Sequence, residues 1–282
     1  MRLFLSLLFL ILLNIFSGNT QVPRIKVLSW NVFLRPGIMP DGQMNRVPEI
    51  SKYLLTSSAD VIVLQEAFHR KARQKLISVL SDKYPFHTQR GPVSFWGVSS
   101  GLLIFSNKPI LNQSNTSFSR ARVSDRLAKK GVISIKIEVN NQDVHIFGTH
   151  LQTGGAEKSI EIQKAQLKTI ESLVKKTAFS SLIIYAGDFN IHPDEKIFEF
   201  LSNRLSIKLP VLDSVYKSTA NYSDQDLYPV EGDPVWIDYV FLKTTTRGKQ
   251  IRTWIEEPRV SLDGKSIRLS DHNPIFSVLE IN

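Results

Sequence analysis

The residues of this chain best suited to chemistry share one feature: each follows or closes a short hydrophobic run. In chain order they are Asn31 after V-L-S-W, Glu66 after V-I-V-L-Q, His150 after H-I-F-G-T, Asp188 and Asn190 in L-I-I-Y-A-G-D-F-N, Asp238 in W-I-D-Y-V-F, and Asp271 and His272 in S-D-H-N-P. Such runs are typical of buried strands, and ligands in α/β sheets bind beyond the carboxyl ends of the strands. Because a buried carboxylate is costly unless it is paired or metal-bound, the pattern predicts a functional site.

The oxygen donors in this set favour a hard divalent cation. Carboxylate and amide oxygens, the ligands that Mg²⁺ and Ca²⁺ prefer, are available from Glu66, Asp188, Asn31 and Asn190. The chain contains no cysteine. This argues against a structural zinc site and excludes disulfides, thiol catalysis and a lipidated-cysteine anchor.

Two imidazoles and one further carboxylate add proton transfer. His150 and His272 are suited to exchanging protons with a substrate or to stabilising charge on it. Asp238 is suited to holding one imidazole in the required tautomer and stabilising its protonated form. A cation, a base and an orienting carboxylate together favour hydrolysis of a phosphate ester.

Each motif alone also has a purely structural interpretation. A single histidine at a strand end is often structural, and G-D-F-N is compatible with a turn that leads into a helix. S-D-H-N-P is compatible with an Asx turn stopped by Pro274. Six such elements in one chain, in one order, are hard to explain structurally, so the combination favours a site.

An alternation of strands and helices has to position these residues. Apolar spacing predicts helices at 44–55, 69–80 and 157–174, and a fourth that has Pro193 in its first turn and runs to Leu201. Strands are predicted at 25–33, 61–64, 102–105, 132–139, 144–149, 182–185, 235–242 and 275–281, with a hairpin turn at 140–141. So many strands favour an α/β fold of two sheets packed face to face with helices outside, in one domain spanning 21–282.

The first 20 residues are typical of a secretory signal peptide. Met1 and Arg2 precede an apolar stretch at 3–16, which is shorter than the roughly 20 apolar residues of a membrane span. We therefore expect secretion, with an uncleaved anchor as the alternative. The formal net charge of +9 either attracts anionic partners or serves solubility alone, and it does not choose the substrate.

The order W-N, Q-E, G-T-H-L-Q, G-D-F-N, I-D-Y-V, S-D-H-N-P resembles the endonuclease/exonuclease/phosphatase superfamily from about residue 25 to 281. The resemblance implies the DNase I-like four-layer α/β sandwich, with two packed mixed β-sheets flanked by helices. Within the superfamily the chain looks most like neutral sphingomyelinases, in particular secreted bacterial sphingomyelinase C. The similar segments are K-V-L-S-W-N-V-F, D-V-I-V-L-Q-E-A-F and G-T-H-L-Q, together with the apolar Trp236 where many nuclease relatives carry arginine.

The resemblance implies a metal site that uses Mg²⁺, with Mn²⁺ or Co²⁺ as substitutes. Glu66 would be the principal ligand, with Asn31 nearby through water or phosphate. Asp188 and Asn190 would bind phosphate and a metal-bound water, and Asp188 is alternatively the acid. Whether one or two metals act, and whether His272 also touches a metal, stays open.

The resemblance further implies that His272 is the general base that activates water, oriented by Asp238 or Asp271. His150 would stabilise charge on the phosphate. The expected substrate is sphingomyelin at a bilayer surface, cleaved to ceramide and phosphocholine, and no obligate protein partner is evident. The alternatives are a secreted DNase I-like nuclease, although nucleic acid is the less favoured partner, a phospholipid phosphatase and a non-catalytic host-binding relative.

Two departures bear on how the chain would reach a membrane. Bacterial sphingomyelinases tend to have cysteines, and they carry an aromatic hairpin before the S-D-H motif, whereas residues 257–269 contain no aromatic residue here. Phe95 and Trp96, in a glycine-bounded loop, are our alternative candidates because aromatic side chains favour the membrane interface. The competing interpretation is that both pack inward.

Overall fold

The computed structural model describes residues 22–39, 42–122, 125, 127–177, 181–221, 232–262 and 264–281. The predicted signal peptide at 1–20 lies outside the described residues. Among the helices within these ranges, none has the length and apolar character needed to cross a membrane.

The strands of the described residues, in chain order, are β1 (Arg24–Leu34), β2 (Val61–Ala67), β3 (Phe86–His87), β4 (Leu103–Ser106), β5 (Asn112–Ser117), β6 (Gly131–Val139), β7 (Gln142–His150), β8 (Leu182–Asp188), β9 (Asp238–Leu242), β10 (Gly248–Ile255), β11 (Arg259–Leu262), β12 (Lys265–Arg268) and β13 (Ile275–Ile281). The helices are α1 (Gln43–Thr56), α2 (Arg70–Leu80), α3 (Glu157–Val174) and α4 (Lys196–Leu205).

The strands form two mixed sheets and one hairpin. The first sheet has the order β10-β13-β1-β2-β4-β3, the second has the order β5-β6-β7-β8-β9, and β11 pairs with β12. Each large sheet contains one central parallel pair, β1 with β2 and β7 with β8. Because parallel strands end at the same edge, the residues that close these four strands meet at one end of the molecule.

Both faces of the central strands are buried, and the side chains sort by the two-residue period of a strand. Val27 and Val61 belong to the core between the sheets, whereas their neighbours Leu28 and Ile62 belong to the core under α1 and α2. On the other side, Tyr185 packs into a third core with residues of α3 and α4. The layers are therefore helix, sheet, sheet and helix, as the predicted two-sheet α/β architecture requires.

Most predicted elements are confirmed. The helix predicted at 157–174 is α3, and the turn at Asn140 and Asn141 has φ of 54° and 62°, as a tight hairpin with two left-handed residues requires. One helix prediction is wrong in detail: Pro193 lies in a turn, closed by the Glu195 N–H donating to His192 O at 3.1 Å, and α4 begins only at Lys196.

The prediction for the last part of the chain, from residue 235 onward, has too few strands. The strand expected at 235–242 begins at Asp238, because the N–H of Ile237 donates to Thr219 Oγ1 and Val235 makes only an isolated bridge. The structure adds β10 and the β11–β12 hairpin before the last strand, and the polar edge strand β5 earlier in the chain. These strands had weak apolar patterns because they lie at edges or outside the main sheets.

Candidate active site

A row of three neighbouring strand positions forms the floor of the site. His150 at the end of β7 pairs in register with Asp188 at the end of β8, and Asp188 pairs with Asp238 at the start of β9. Paired positions on neighbouring strands project to the same face of a sheet. The three side chains are almost fully buried, with exposures of 4%, 1% and 0%.

The first sheet supplies Asn31 and Glu66 through irregular backbone. The register between β1 and β2 shifts after Asn31, and Phe33 and Glu66 have positive φ values of 48° and 55°. Buried Arg46 of α1 stabilises this bulge by donating to Val32 O and Leu269 O. Non-glycine residues in the left-handed region cost free energy and concentrate at functional sites. Here the irregular backbone turns the side chains of Asn31 and Glu66 toward the second sheet.

Asn31 links the two sheets. Its Nδ2 donates to Glu66 Oε1 at 3.3 Å and to Asp188 Oδ2 at 3.2 Å, and its Oδ1 accepts from the Phe33 N–H at 3.2 Å. One amide thus holds two carboxylates from different sheets at a short separation. Asn31 is 1% exposed, so this arrangement is fixed by protein contacts.

His272 and Asp238 form a buried dyad. His272 Nδ1 lies 2.8 Å from Asp238 Oδ2, and His272 Nε2 lies 3.9 Å from Asp188 Oδ2. The loop that carries His272 is fastened to β1, because the Trp30 indole N–H donates to His272 O at 2.8 Å and Ser270 Oγ donates to Asn31 O at 2.6 Å. The dyad geometry leaves Nε2 as the nitrogen that faces the rest of the site.

Asp271 occupies a different position from the one expected of an orienting group. Its Oδ1 accepts a hydrogen bond from Ser270 Oγ at 3.3 Å, while the carboxylate that contacts His272 Nδ1 is that of Asp238. Burial raises the pKa of Asp271. Asp271 therefore adds negative charge near the site, while Asp238 is the carboxylate that holds the His272 ring.

Lys130 is a site residue that the sequence did not reveal. It is 5% exposed, and its Nζ lies 2.9 Å from His150 Nε2, 2.8 Å from Asp125 Oδ1 and 2.9 Å from Leu151 O. Burial, then the charges of Lys130 and His272, lower the pKa of His150 well below its usual range. His150 is therefore neutral, and Lys130 is the cation beside it.

Asn190 is held at the edge of the site by the main chain. Its φ is 50°, its N–H donates to Asp188 Oδ1 at 3.0 Å, and its Nδ2 donates to Leu151 O at 3.2 Å. Gln163 of α3 donates to the carbonyls of both Asn190 and Gln152 at 2.9 Å. The segments after β7 and β8 are thereby joined, which fixes Asn190 next to Asp188.

The carboxyl groups crowd one another. Burial, then the neighbouring Asp238, raise the pKa of Asp188 to about 7. Burial, then Asp271, raise the pKa of Glu66. For His272, burial acts to lower the pKa, but the pull of Asp238, Asp188 and Asp271 outweighs it and raises the pKa well above its usual range.

This excess of negative charge fits a divalent cation. Ligand atoms of Asp188, Asp238 and His272 lie within 4.8 Å of one another, and the buried Asp238 Oδ1 has no hydrogen-bond partner among the described residues. Glu66 and Asn31 offer further oxygens beside Asp188. An oxygen-rich donor set is the kind that hard cations bind, and a cation would stabilise the charged carboxylates against the burial and crowding that raise their pKa values.

The fold and the site together define a hydrolase of the metal-dependent phosphodiesterase type. The family model described as "Endonuclease/Exonuclease/phosphatase family" matches residues 28–272, and the chain belongs to this family. The predicted DNase I-like sandwich is confirmed by the structural relatives.

Three relatives illustrate the similarity. A sphingomyelinase C of Listeria ivanovii is 27% identical over 245 residues, covering 78% of this chain and 73% of the relative. Sphingomyelinase C 2 of Leptospira interrogans is 26% identical over 92% of this chain, which spans only 46% of that longer relative. The crystal structure of a Staphylococcus aureus beta toxin mutant with bound magnesium ions superposes with a TM-score of 0.77 at 26% identity, covering 90% of this chain and 98% of the toxin.

Proposed function

We propose that this protein is a Mg²⁺-dependent sphingomyelin phosphodiesterase that releases phosphocholine and ceramide. The observation that carries the proposal is the buried Asp238–His272 dyad, in which His272 Nε2 lies 3.9 Å from the Asp188 carboxylate. The similarity to proteins named sphingomyelinase C supports the choice of substrate.

In this mechanism His272 prepares the attacking water. Asp238 accepts the Nδ1–H at 2.8 Å, which leaves Nε2 as the site that takes a proton from water when the ring is neutral. The carboxylates alone raise the pKa of His272, and a cation bound beside them would oppose this effect and favour the neutral ring. Asp238 also stabilises the imidazolium that results. The proton can later pass to the solvent or to the departing alkoxide.

Glu66, Asn31 and Asp188 are the residues that would hold Mg²⁺, with Asn190 at the edge of the same cluster. When bound, Mg²⁺ supplies positive charge that offsets the charge of the phosphate and the departing alkoxide in the transition state.

Lys130, next to the neutral His150, forms the cationic side of the site. The Lys130 ammonium, 2.9 Å from His150 Nε2, lies in the wall of the cavity that Glu66 also lines. A fixed charge in a buried wall stabilises a developing negative charge more strongly than the same charge in water. Lys130 thus assists the role proposed for His150, stabilisation of charge on the phosphate.

A nuclease is the second candidate, favoured by the net charge of +9. A non-catalytic relative is disfavoured, because each of the polar residues predicted for catalysis is present and lies in the cluster described above or at its edge. A phospholipid phosphatase is distinguished from the proposed function by its products.

The test is phosphocholine release from sphingomyelin vesicles, measured with Mg²⁺ and after addition of EDTA, with plasmid DNA assayed in parallel. We expect Mg²⁺-dependent release, intact DNA, and loss of activity in His272→Ala but not in His87→Ala, a control in the exposed edge strand β3. Nicked DNA with untouched lipid would favour the nuclease. Equal turnover by His272→Ala would contradict the base assignment.

We also propose that the protein is secreted after removal of residues 1–20. The support is the sequence pattern of a short basic start followed by an apolar stretch. Amino-terminal sequencing of the protein recovered from the culture medium checks this, and recovery only from membranes with Met1 intact would favour the uncleaved anchor.

A further inference from the structure

Phe95 and Trp96 project from the protein at the tip of a turn. Their exposures are 95% and 67%, and their rings contact each other edge to face with centroids 5.4 Å apart. Inward packing, the interpretation that competed with membrane contact, is therefore wrong. Two adjacent aromatic side chains this exposed are unusual on a protein surface without a partner.

The turn that carries them is fixed by hydrogen bonds. The Ser94 N–H donates to Val98 O at 2.7 Å, and the Gly97 N–H donates to Ser94 O at 2.9 Å. Gly97 has a φ of 74°, which favours glycine, and Ser94 Oγ donates to Leu127 O at 2.7 Å. Because the turn is already ordered, little conformational entropy is lost when its aromatic tip binds something.

The exposed tip is continuous with the candidate active site. A cavity of about 430 Å³ is lined by Trp96, Ile38 and Leu127 and also by Glu66 and His150. Ile38 is 89% exposed and Leu127 is 47% exposed. We refer to Ile38, Phe95, Trp96 and Leu127 as the aromatic rim.

A lipid surface is the occupant that fits this rim best. Aromatic side chains favour the interfacial layer of a bilayer, where an apolar ring meets polar headgroups. The rim opens into the cavity that holds the candidate catalytic groups, so a phosphodiester at headgroup depth could reach them while its apolar chains stay in the bilayer. Arg35 lines the same cavity and adds positive charge suited to phosphate headgroups.

We propose that the aromatic rim docks the protein onto a phospholipid bilayer, with Phe95 and Trp96 in the interfacial layer and the cavity facing the substrate lipid. The choice of lipid substrate rests on the proposed function, whereas docking itself is measurable without turnover. The β11–β12 hairpin contains no aromatic residue, so it offers no competing aromatic tip for a bilayer.

The experiment is sedimentation of the full protein with vesicles of phosphatidylcholine alone, which contain no sphingomyelin. We expect Phe95→Ala/Trp96→Ala to bind roughly tenfold more weakly or worse, because two large apolar surfaces lose their apolar contact. Turnover of the soluble substrate p-nitrophenylphosphocholine should fall much less than vesicle binding does, because Trp96 lines the cavity but neither residue belongs to the catalytic cluster. The matched control is Leu209→Ala/Val211→Ala, which removes apolar residues of 40% and 89% exposure beside Leu242 and Gly248, at the opposite end of the strands.

A second measurement uses tryptophan fluorescence. Of the four tryptophans, Trp30 is buried, Trp236 and Trp254 are half-buried, and Trp96 is 67% exposed. Trp96 is therefore expected to dominate a blue shift when vesicles are added. Trp96→Phe should retain binding, since it keeps an aromatic ring, and should lose the shift. Retention of the shift in Trp96→Phe would overturn the proposal.

Other outcomes of these binding experiments test docking separately from the proposed function. Vesicle binding by Phe95→Ala/Trp96→Ala equal to that of the unmodified protein, or no binding by the unmodified protein, would overturn docking at this surface. Binding of the unmodified protein to DNA but not to vesicles would also overturn docking at this surface. Rim-dependent binding without phosphocholine release from sphingomyelin would leave the docking proposal standing and reject the proposed function.

Discussion

Asp188 and Asp238 lie opposite each other on neighbouring antiparallel strands, and their carboxylates lie next to different nitrogens of the His272 ring. Asp238 Oδ2 is 2.8 Å from Nδ1, and Asp188 Oδ2 is 3.9 Å from Nε2. The short contact fixes the ring, and the longer one leaves Nε2 without a close carboxylate. An orienting acid on one side and an available nitrogen on the other is the arrangement that a general base needs.

Replacing the orienting carboxylate should impair turnover and spare the fold. Asp238→Asn keeps the size of the side chain but no longer stabilises a protonated His272, so we expect kcat to fall by roughly 10² to 10⁴ with little change in KM. Steady-state kinetics with Asp143→Asn as control tests this, because Asp143 lies near the start of β7, away from the site, and forms a surface ion pair with Lys136. An unchanged kcat would contradict the role of the dyad.

Stability in the absence of metal should depend on pH through Asp188. Its pKa is raised from 3.8 to about 7 in the folded state, so its contribution to stability is present at low pH and is lost as pH rises toward 7. Cation binding requires the ionised carboxylate and strengthens over the same window. The difference between the Tm with saturating Mg²⁺ and the Tm with EDTA should therefore grow from about pH 5 to about pH 8.

Thermal unfolding at several pH values, with and without Mg²⁺, measures that difference. An increment in Tm that is constant or largest at low pH would show that no carboxylate of raised pKa is coupled to the cation.

Lys130 should matter for catalysis more than its exposed neighbour does. Lys130→Met removes the ammonium 2.9 Å from His150 Nε2, and we expect kcat to fall by roughly 10 to 10³. Because Lys130 helps to lower the pKa of His150, the variant should also shift the pH dependence of kcat/KM. Lys129→Met is the control, and equal kinetics for the two variants would reject the assignment.

Gly187 should be intolerant of a side chain. A Cβ there would lie 2.1 Å from Thr149 O in the neighbouring strand, next to Asp188. We expect Gly187→Ala to lower the free energy of unfolding by roughly 2 kcal/mol or more. Gly155→Ala is the comparison, because Gly155 also has a positive φ but no atom within 4 Å of its added Cβ. Equal losses in denaturant unfolding would mean that backbone strain alone decides.

The sequence was sufficient to predict the parts of the site that follow buried strands. Asn31, Glu66 and Asp188 each close a run whose apolar character is set by burial on both faces, and strand ends converge by topology. The helix α3 was equally predictable from its periodic apolar face.

Other parts depend on tertiary structure. No motif marks Lys130 in the sequence, because only the fold reveals that its side chain is buried against His150 and Asp125. The positive φ of Glu66 is imposed by surrounding contacts and has no sequence signature. Strand β10 escaped prediction because most of its residues are exposed or half-buried, so its apolar alternation is weak.

Hydrolysis of sphingomyelin with Mg²⁺ in water enriched in ¹⁸O, followed by mass spectrometry of both products, shows which bond the water breaks. Water activated by His272 attacks phosphorus, so we predict one ¹⁸O in phosphocholine, none in ceramide, and no products with EDTA. Label in ceramide, or no phosphocholine in the presence of Mg²⁺, would contradict this prediction.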